Sequence, residues 1–320
     1  MRFSSAPAPA RRRRALGWTT AAAALLLALA MAGYKFLPPH SDASFLLGTA
    51  LPWLGLAVPV LAVASLRARS WLGGAGTAAA LAAWLVVAGP WLLPSPAPAA
   101  PSQAAGQSSG PLRVASQNLR AGNLQAPALL DNLAQSGADV VALQEVTGST
   151  DTGPGTSIGA AYPHQSRVGT VALLSKTPIS NVQPLALGLG WKRALNATVS
   201  VGGSEVSVYV VHAASARPND HADRDTMLES LAGIVATDTS SRVVALGDFN
   251  AASDENILGP IKAQLSEPSQ AERGPGFTWP SAFPMARPDH IFARGLTGIS
   301  STVVDSIGSD HKGVTADFAL

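Results

Sequence analysis

Cysteine is absent from this chain of 320 residues, and charged side chains are scarce. Without thiols the chain cannot form a disulfide scaffold, a zinc–thiolate site or a cysteine nucleophile. Only 13% of the residues are charged and 47% are hydrophobic, whereas disorder throughout a chain requires low hydrophobicity and high net charge. The chain is therefore expected to fold, and its chemistry must rely on side-chain oxygen and nitrogen atoms.

The few charges are distributed unevenly along the chain. Residues 1–110 contain eight basic residues and one acid, a net charge of +7, whereas residues 111–320 contain 14 basic and 19 acidic residues, a net charge of −5. Nucleic-acid-binding domains usually carry clustered Lys and Arg, and Lys192-Arg193 is the only adjacent basic pair after residue 110. The charge therefore does not favour a nucleic acid as the partner of the C-terminal part.

Three long apolar stretches lie near the N-terminus, at residues 17–37, 45–66 and 71–93. Each is 21 to 23 residues long, and about 20 helical residues span the hydrocarbon core of a bilayer. Backbone polar groups cannot remain unbonded in lipid, so helices are the expected form. The sequence thus predicts three transmembrane helices.

Basic residues indicate how these helices cross the membrane. Four arginines at residues 11–14 precede the first stretch, and Arg67 and Arg69 lie between the second and third. The positive-inside rule places the N-terminus and the 67–70 loop in the cytoplasm and everything after the third helix outside it. Ala28-Leu29-Ala30 leaves one alternative open, which is that the first stretch belongs to a cleaved signal peptide. Cleavage would leave two membrane spans, an even number of crossings in place of an odd one.

The sequence divides into four segments by composition. These are a basic N-terminus (1–16), the apolar spans (17–93), a Pro-, Ala- and Ser-rich linker (94–111) and a folded domain (112–320). The domain has apolar runs typical of buried strands and two amphipathic patterns typical of helices. We expect strands at 112–116, 140–143, 171–174, 206–211, 243–246 and 290–293, and helices at 127–135 and 220–235. This mixture predicts an α/β domain in which helices cover sheets.

Polar residues that a core does not need follow these predicted strands. Taken singly, each has a structural explanation such as a turn, a helix cap, a surface acid or a buried core histidine. Together they indicate a site, because catalytic groups favour the ends of strands in a rigid sheet. The candidate residues are Asn118, Glu145, His212, Asp248, Asn250, Asp289, Asp310 and His311.

The residue types match the hydrolysis of a phosphate ester. Asn118, Glu145 and Asp310 offer hard oxygen ligands, which suit Mg²⁺ or Mn²⁺. His311 with Asp289 is the combination that an oriented general base requires, and Asn250 and His212 can donate hydrogen bonds to developing negative charge. Since the sequence has no nucleophile elbow, P-loop or zinc-protease motif, we expect metal-assisted attack of water on phosphorus.

Six short motifs follow one another along the chain: Gln117-Asn118-Leu119, Leu143-Gln144-Glu145, Val211-His212, Gly247-Asp248-Phe249-Asn250, Arg287-Pro288-Asp289-His290-Ile291-Phe292 and Gly308-Ser309-Asp310-His311. In this order they resemble the endonuclease/exonuclease/phosphatase family, which includes DNase I-like nucleases, neutral sphingomyelinases and inositol polyphosphate 5-phosphatases. The resemblance covers about residues 112–320 and implies a four-layer α/β sandwich with two central sheets.

The resemblance also implies a role for each residue. Glu145 would be the principal metal ligand, supported by Asn118 and Asp310. His311, oriented by Asp289, would act as or assist the base, and Asp248 would position or deprotonate the water. Asn250 and His212 would stabilise the pentavalent phosphorus, and a histidine at position 212 argues against abasic-site repair, where a tyrosine is more usual.

Three residues near these motifs are assigned to structure or left open. His290 directly follows Asp289 and should face the opposite side of its strand, which favours a structural role. His221 begins a helix and is expected to be exposed. Trp279 either borders the cleft or packs beneath a loop.

Three functions are consistent with the sequence. The favoured hypothesis is a membrane-anchored, extracytoplasmic phosphoesterase that hydrolyses a lipid-linked or envelope phosphate, for instance a polyprenyl (pyro)phosphate. The alternatives are an extracytoplasmic nuclease that cleaves DNA or RNA, and a membrane-bound binding module that has lost catalysis.

Overall fold

The computed structural model of the chain describes residues 9–92 and 111–320, which form two compact units. The first unit contains helices α1 (Pro9–Gly33), α2 (Asp42–Ala50), α3 (Ala57–Ala68) and α4 (Trp71–Leu92), with 3₁₀ turns at Tyr34–Phe36 and Leu51–Leu56. The first eight residues and all of the predicted linker except Pro111 lie outside the described residues.

Three stretches of the first unit are long and apolar enough to cross a membrane, namely Arg11–Phe36, Asp42–Ala68 and Trp71–Leu92. They coincide with the three predicted spans to within a few residues. The second stretch is interrupted by the 3₁₀ turn at Leu51–Leu56, near the start of which lies Pro52. Proline lacks a backbone N–H and disrupts regular helical bonding, which explains the interruption.

The second unit contains two mixed β-sheets. Its strands are β1 (Leu112–Asn118), β2 (Val140–Gln144), β3 (His164–Val168), β4 (Val171–Ser175), β5 (Ile179–Leu185), β6 (Ala194–Val201), β7 (Ser204–His212), β8 (Val243–Asp248), β9 (Asp289–Arg294), β10 (Thr297–Val304) and β11 (Gly313–Ala319). The first sheet has the order β10-β11-β1-β2-β4-β3, and the second has the order β5-β6-β7-β8-β9.

Helices cover the outer face of each sheet. These helices are α5 (Ala126–Ala134), α6 (Ser157–Ala161), α7 (Ala222–Thr237) and α8 (Gly259–Lys262), and a 3₁₀ turn spans Asn256–Leu258. Apolar residues of both sheets form the core between them. A second core joins the first sheet to α5 and α6, and a third joins the second sheet to α7 and α8. The predicted four-layer α/β sandwich is confirmed.

Strand pairing brings the predicted strand-end residues together. In the first sheet, β1 and β2 are parallel, and Asn118 lies opposite Gln144. In the second sheet, β7 and β8 are parallel and pair His212 with Asp248, which in turn lies opposite Asp289 on β9. Since parallel strands end at the same edge of a sheet, the polar residues that follow them converge.

Candidate active site

Asn118 connects the ends of the two sheets. Its Nδ2 donates hydrogen bonds to Glu145 Oε1 at 3.2 Å and to Asp248 Oδ2 at 3.0 Å. Its Oδ1 accepts from the Arg120 backbone N–H at 2.9 Å, and Glu145 Oε2 accepts from the Ala121 N–H at 2.6 Å. The loop after β1 thus holds both the amide and the carboxylate in place.

The segment after β8 has two unusual backbone conformations. Gly247 has φ +145°, and a Cβ at this position would overlap the carbonyl oxygen of Val211 on the neighbouring strand. Asn250 lies in the left-handed region with φ 48°, donates its N–H to Asp248 Oδ1 at 2.9 Å and donates its Nδ2 to the Ala213 carbonyl at 3.0 Å. Such conformations persist where the surrounding structure enforces them, and they cluster at functional sites.

His311 and Asp289 form a buried pair. His311 Nδ1 lies 2.9 Å from Asp289 Oδ2, and the same carboxylate oxygen accepts a hydrogen bond from Thr278 Oγ1 at 2.6 Å. His311 Nε2 points toward Asp248, 3.9 Å from its Oδ2. The pair therefore presents one imidazole nitrogen to the site and fixes the other.

Arg193 is a site residue that the strand-end argument missed. Its Nη2 lies 2.8 Å from His212 Nε2, while His212 Nδ1 lies 3.2 Å from Thr170 Oγ1. The guanidinium is 4.6 Å from the centre of the Trp191 ring. Its Nε is buried and has no hydrogen-bond partner among the described residues. Arg193 precedes a strand, and only the pairing of Ala194 with Val211 places it beside His212.

Burial and neighbouring charges shift the pKa values of His212, Asp248 and His311. Burial lowers the pKa of His212 to about 3, reinforced by the charge of Arg193, so His212 is neutral. Burial also raises the pKa of Asp248 to about 7, against the opposing charge of His311. For His311, burial alone would lower the pKa, but the carboxylates of Asp289 and Asp248 raise it to about 10.

Asp310 takes part in the site through a hydrogen bond of its backbone and through the charge of its carboxylate. Its carbonyl accepts a hydrogen bond from the Ser281 N–H at 2.7 Å, and its carboxylate is one of the charges that raise the pKa of His311. Asp248, Asp289 and His311 each offer one possible metal-ligating atom, and these three atoms all lie within 4.8 Å of one another. This buried trio is an arrangement able to hold a metal and differs from the predicted set of Asn118, Glu145 and Asp310.

The donor atoms of the site fit a hard divalent cation. Glu145, Asp248 and Asp289 bring three carboxylates to one edge, and Asp289 Oδ1 is buried without a hydrogen-bond partner among the described residues. Such oxygen-rich sets bind Mg²⁺ or Mn²⁺ in preference to softer metals. The site therefore has the charge and the ligand type that a magnesium-dependent enzyme requires.

Two buried ionic networks support the site from behind. Arg224 on α7 donates to Asp225 at 2.6 Å and to the Asn250 carbonyl at 2.7 Å. His221 lies 2.7 Å from Asp225 and is buried, so the expectation that it is exposed was wrong: the helix begins at Ala222 and His221 joins this network.

The second network lies behind β9. His290 is fully buried, with Nε2 3.0 Å from the Ala251 carbonyl and Nδ1 3.2 Å from Glu267. Arg287 Nη2 donates to the same Glu267 at 2.9 Å. His290 therefore faces away from Asp289, in agreement with the structural role predicted for it.

Residues 115–311 match the Endonuclease/Exonuclease/phosphatase family. The chain belongs to this family. The resemblance inferred from the motifs is confirmed, and with it the class of metal-dependent phosphoester hydrolases to which the family's members belong. The matched region contains all eight predicted site residues and Arg193.

Solved structures of this superfamily share the fold of the chain. A family protein from Leptotrichia buccalis is 17% identical, with a TM-score of 0.52 over 65% of this chain and 100% of its own. Danio rerio TDP2, complexed with a single-stranded DNA product, is 18% identical, with a TM-score of 0.57 over 66% of this chain and 99% of its own. Sphingomyelinase C from Streptomyces griseocarneus is 19% identical, with a TM-score of 0.51 over 65% and 99%. No curated protein sequence matches the chain.

Proposed function

We propose that the chain is a membrane-anchored phosphoesterase, dependent on Mg²⁺ or Mn²⁺, that hydrolyses a lipid-linked phosphate ester outside the cytoplasm. In this proposal residues 1–16 are cytoplasmic, residues 17–93 cross the membrane three times, and residues 94–111 link them to the catalytic domain at 112–320. The observation that carries the proposal is that one chain combines three apolar helices with a buried cluster of carboxylates, imidazoles and a guanidinium.

The proposed chemistry is the attack of water on phosphorus. A metal held by Glu145, with Asn118 and Asp310 nearby, would neutralise charge on the phosphoryl group and lower the pKa of a bound water. Asp248, whose pKa is raised to about 7, is suited to accept a proton from water near neutral pH. Against the effect of burial, the carboxylates of Asp289 and Asp248 raise the pKa of His311 to about 10, so we propose it as the acid that donates a proton to the departing oxygen, in place of the base expected from the sequence.

The phosphate oxygens would be bound by donors on the opposite side of the cluster. Arg193 has a buried Nε without a partner among the described residues, and a buried donor of this kind favours a ligand that satisfies it. Guanidinium groups bind phosphate with two parallel hydrogen bonds. Asn250 lies at a neighbouring strand end, where its amide can add a hydrogen bond as charge develops, and His212 accepts from Arg193 and holds the guanidinium in place.

The charge of the domain favours a lipid phosphate over a nucleic acid. Residues 111–320 carry a net charge of −5, whereas binding of a polyanion gains much of its affinity from the counterions that clustered Lys and Arg displace. The three apolar helices would keep the domain close to a bilayer. A phosphate at a lipid headgroup is then the substrate within reach.

A competition assay on the full chain in lipid nanodiscs tests the proposed substrate. Polyprenyl diphosphate, bis(p-nitrophenyl) phosphate and plasmid DNA are supplied with Mg²⁺, and hydrolysis of each is followed. We expect the polyprenyl substrate to be hydrolysed, EDTA to abolish the activity, and Glu145→Gln and His311→Ala to abolish it also. Asp131→Asn, at an exposed carboxylate of α5, is the matched control and should retain full activity.

Nicking of the plasmid with the lipid left intact would overturn the proposal in favour of a nuclease. Hydrolysis of none of the three substrates would favour a binding module.

The side of the membrane requires a separate test. A reporter enzyme that is active only outside the cytoplasm, fused after Leu320, is expected to be active. Activity of a reporter that works only inside the cytoplasm would overturn the three-crossing arrangement.

A further inference from the structure

The exposed apolar side chains of the second unit are concentrated around the active site. Among residues 111–320, six large hydrophobic side chains are markedly exposed: Leu124, Val182, Trp191, Trp279, Phe283 and Met285. All except Val182 lie on three loops that are bonded directly to the catalytic segments, as shown below. A clustered apolar surface of this kind marks an interaction site, whereas singly scattered apolar residues do not. We call these five residues the apolar rim.

The first loop of the rim follows β1. Leu124 is 96% exposed, although the loop itself is fixed. Its Ala121 N–H donates to Glu145 Oε2 at 2.6 Å, and its Asn123 Nδ2 donates to the Ile307 carbonyl at 2.9 Å. An apolar side chain is therefore exposed on the same loop that is bonded to the residue proposed as the principal metal ligand.

The second loop precedes β6. Trp191 is 52% exposed, and the Arg193 guanidinium packs 4.6 Å from the centre of its ring. Arg193 in turn contacts His212 at 2.8 Å. One face of the indole is thus held against the proposed phosphate-binding group, while about half of the side chain is open to solvent.

The third loop, residues 278–286, precedes β9. Thr278 donates to Asp289 at 2.6 Å, and Ser281 bonds to the Asp310 and Ser309 carbonyls, each at 2.7 Å. Trp279, between these two anchors, is 43% exposed, and Phe283, two residues after Ser281, is 67% exposed. The loop thus displays aromatic groups from a base that is bonded to the segment carrying His311.

The parts of the rim stand on loops that lead into different strands. Trp191 precedes β6 and residues 278–286 precede β9, and three strand spacings separate these strands, about 14 Å at roughly 4.8 Å each. Apolar side chains at such a distance do not contact one another, since contact requires about 4.5 Å. They therefore fit an extended apolar surface.

We infer that the apolar rim lies on the surface of a lipid bilayer, so that the active site takes its phosphate group from the headgroup layer. This inference rests on the proposed function, in which the ester belongs to a lipid. Tryptophan is enriched at the bilayer interface, and Trp, Phe and Leu are the side chains that interfacial segments bury in it. The 18 residues between α4 and Pro111 span at most about 65 Å even when fully extended, so a bilayer that holds the three apolar helices remains within reach of the rim.

The absence of cysteine makes a direct test feasible. Single cysteines replace Leu124 or Phe283 in the full chain, are labelled with an environment-sensitive fluorophore, and are compared in nanodiscs with and without lipids that carry a nitroxide quencher. Val182→Cys is the matched control, because Val182 is also apolar and exposed but lies on β5, away from the site. We expect the nitroxide lipids to quench the labels at 124 and 283 at least twofold more than the label at 182. Equal quenching at all three positions, or quenching at 124 and 283 by an aqueous quencher alone, would overturn the inference.

A kinetic measurement separates this inference from the proposed function. Leu124→Ser and Phe283→Ser are expected to reduce turnover of a bilayer-embedded phosphate lipid at least fivefold, while hydrolysis of bis(p-nitrophenyl) phosphate stays unchanged. An equal loss on both substrates would contradict a surface role. If the labels are quenched by lipid but the lipid phosphate is not hydrolysed, the proposed substrate fails and the rim's contact with the bilayer stands.

Discussion

The Asn118 carboxamide and the Asp248 carboxylate belong to different sheets, and a hydrogen bond of 3.0 Å between Nδ2 and Oδ2 joins them. The same Nδ2 donates to Glu145, so one amide separates two carboxylates that would otherwise repel each other. Asn118 is fully buried and is the last residue of β1.

Replacement of Asn118 by alanine is expected to lower kcat about 100-fold, the order of effect typical of a lost preorganised donor. The variant should also unfold more easily, by about 1–3 kcal/mol, because buried carboxylate oxygens lose a partner. Steady-state kinetics on bis(p-nitrophenyl) phosphate and urea unfolding of the full chain measure the two effects. Asn132→Ala, at an exposed asparagine of α5, should change neither. A variant with unchanged kcat would contradict the role assigned to this amide.

Replacement of Arg193 by methionine is expected to lower kcat/KM about 100-fold, because the side chain keeps its apolar stem but loses the donors for phosphate oxygens. Arg193→Lys should recover only part of the activity, since an ammonium cannot form the paired hydrogen bonds of a guanidinium. Arg273→Met, at an exposed arginine, is the control. Full activity of the lysine variant would show that charge alone is required.

Thr278 is expected to act as a positioning residue for the Asp289–His311 pair, because its hydroxyl binds the carboxylate oxygen that also faces His311. Thr278→Val retains the shape but removes the donor, and we expect kcat to fall about tenfold while KM stays unchanged. Thr278→Ser keeps the hydroxyl and should restore most of kcat. Equal losses in the valine and serine variants would indicate a packing role.

Glu267 is expected to make the fold sensitive to acid. Burial alone would raise its pKa, but the charges of Arg287 and His290 outweigh that effect and hold the pKa well below its ordinary value. A carboxyl whose pKa is depressed in the folded state stabilises the fold above its unfolded pKa, and this stabilisation is lost as the pH falls toward the folded value. Stability should therefore decline as the pH drops below about 4.5.

Urea unfolding between pH 7 and pH 3 measures this dependence. Glu267→Gln should be less stable than the parent at pH 7, and the difference should shrink toward pH 3, because the unfolded parent takes up a proton in this range while the folded parent keeps its carboxylate charged. Glu272→Gln, at an exposed carboxylate, should follow the parent. A constant difference between Glu267→Gln and the parent across this range would show that the carboxylate charge is not the source.

Residue type and position at strand ends were sufficient to predict much of the site. Glu145, His212 and Asp248 each end or follow a continuous apolar run, and no packing requirement of a core explains an acid or an imidazole there. The same runs predicted the buried strands β1, β2, β4, β7, β8 and β9. The chemistry and these strands could therefore be predicted from local sequence patterns.

Local sequence patterns did not predict the remaining strands or the role of Arg193. Strands β3, β5 and β10 lie at sheet edges, where partial exposure permits polar side chains and weakens the apolar signal. Arg193 comes before its strand and looks like half of a basic surface pair. Its burial follows from the pairing of β6 with β7, a contact that no local pattern specifies. His221 was predicted to be exposed for a different reason: the i,i+4 spacing to Asp225 could have indicated their contact, but the burial of that pair depends on how the helix packs.

The apolar layer between the two sheets has a consequence for catalysis. Asn118 and Glu145 belong to one sheet, and His212, Asp248 and Asp289 to the other, so the layer of packed side chains between the sheets acts as a spacer that determines the width of the catalytic gap. A side chain that is shortened in the middle of this layer, far from any substrate, would let the sheets settle closer together and move the metal-binding acid relative to the histidines. Substitutions in this layer are therefore expected to change the catalytic rate even where the fold tolerates them.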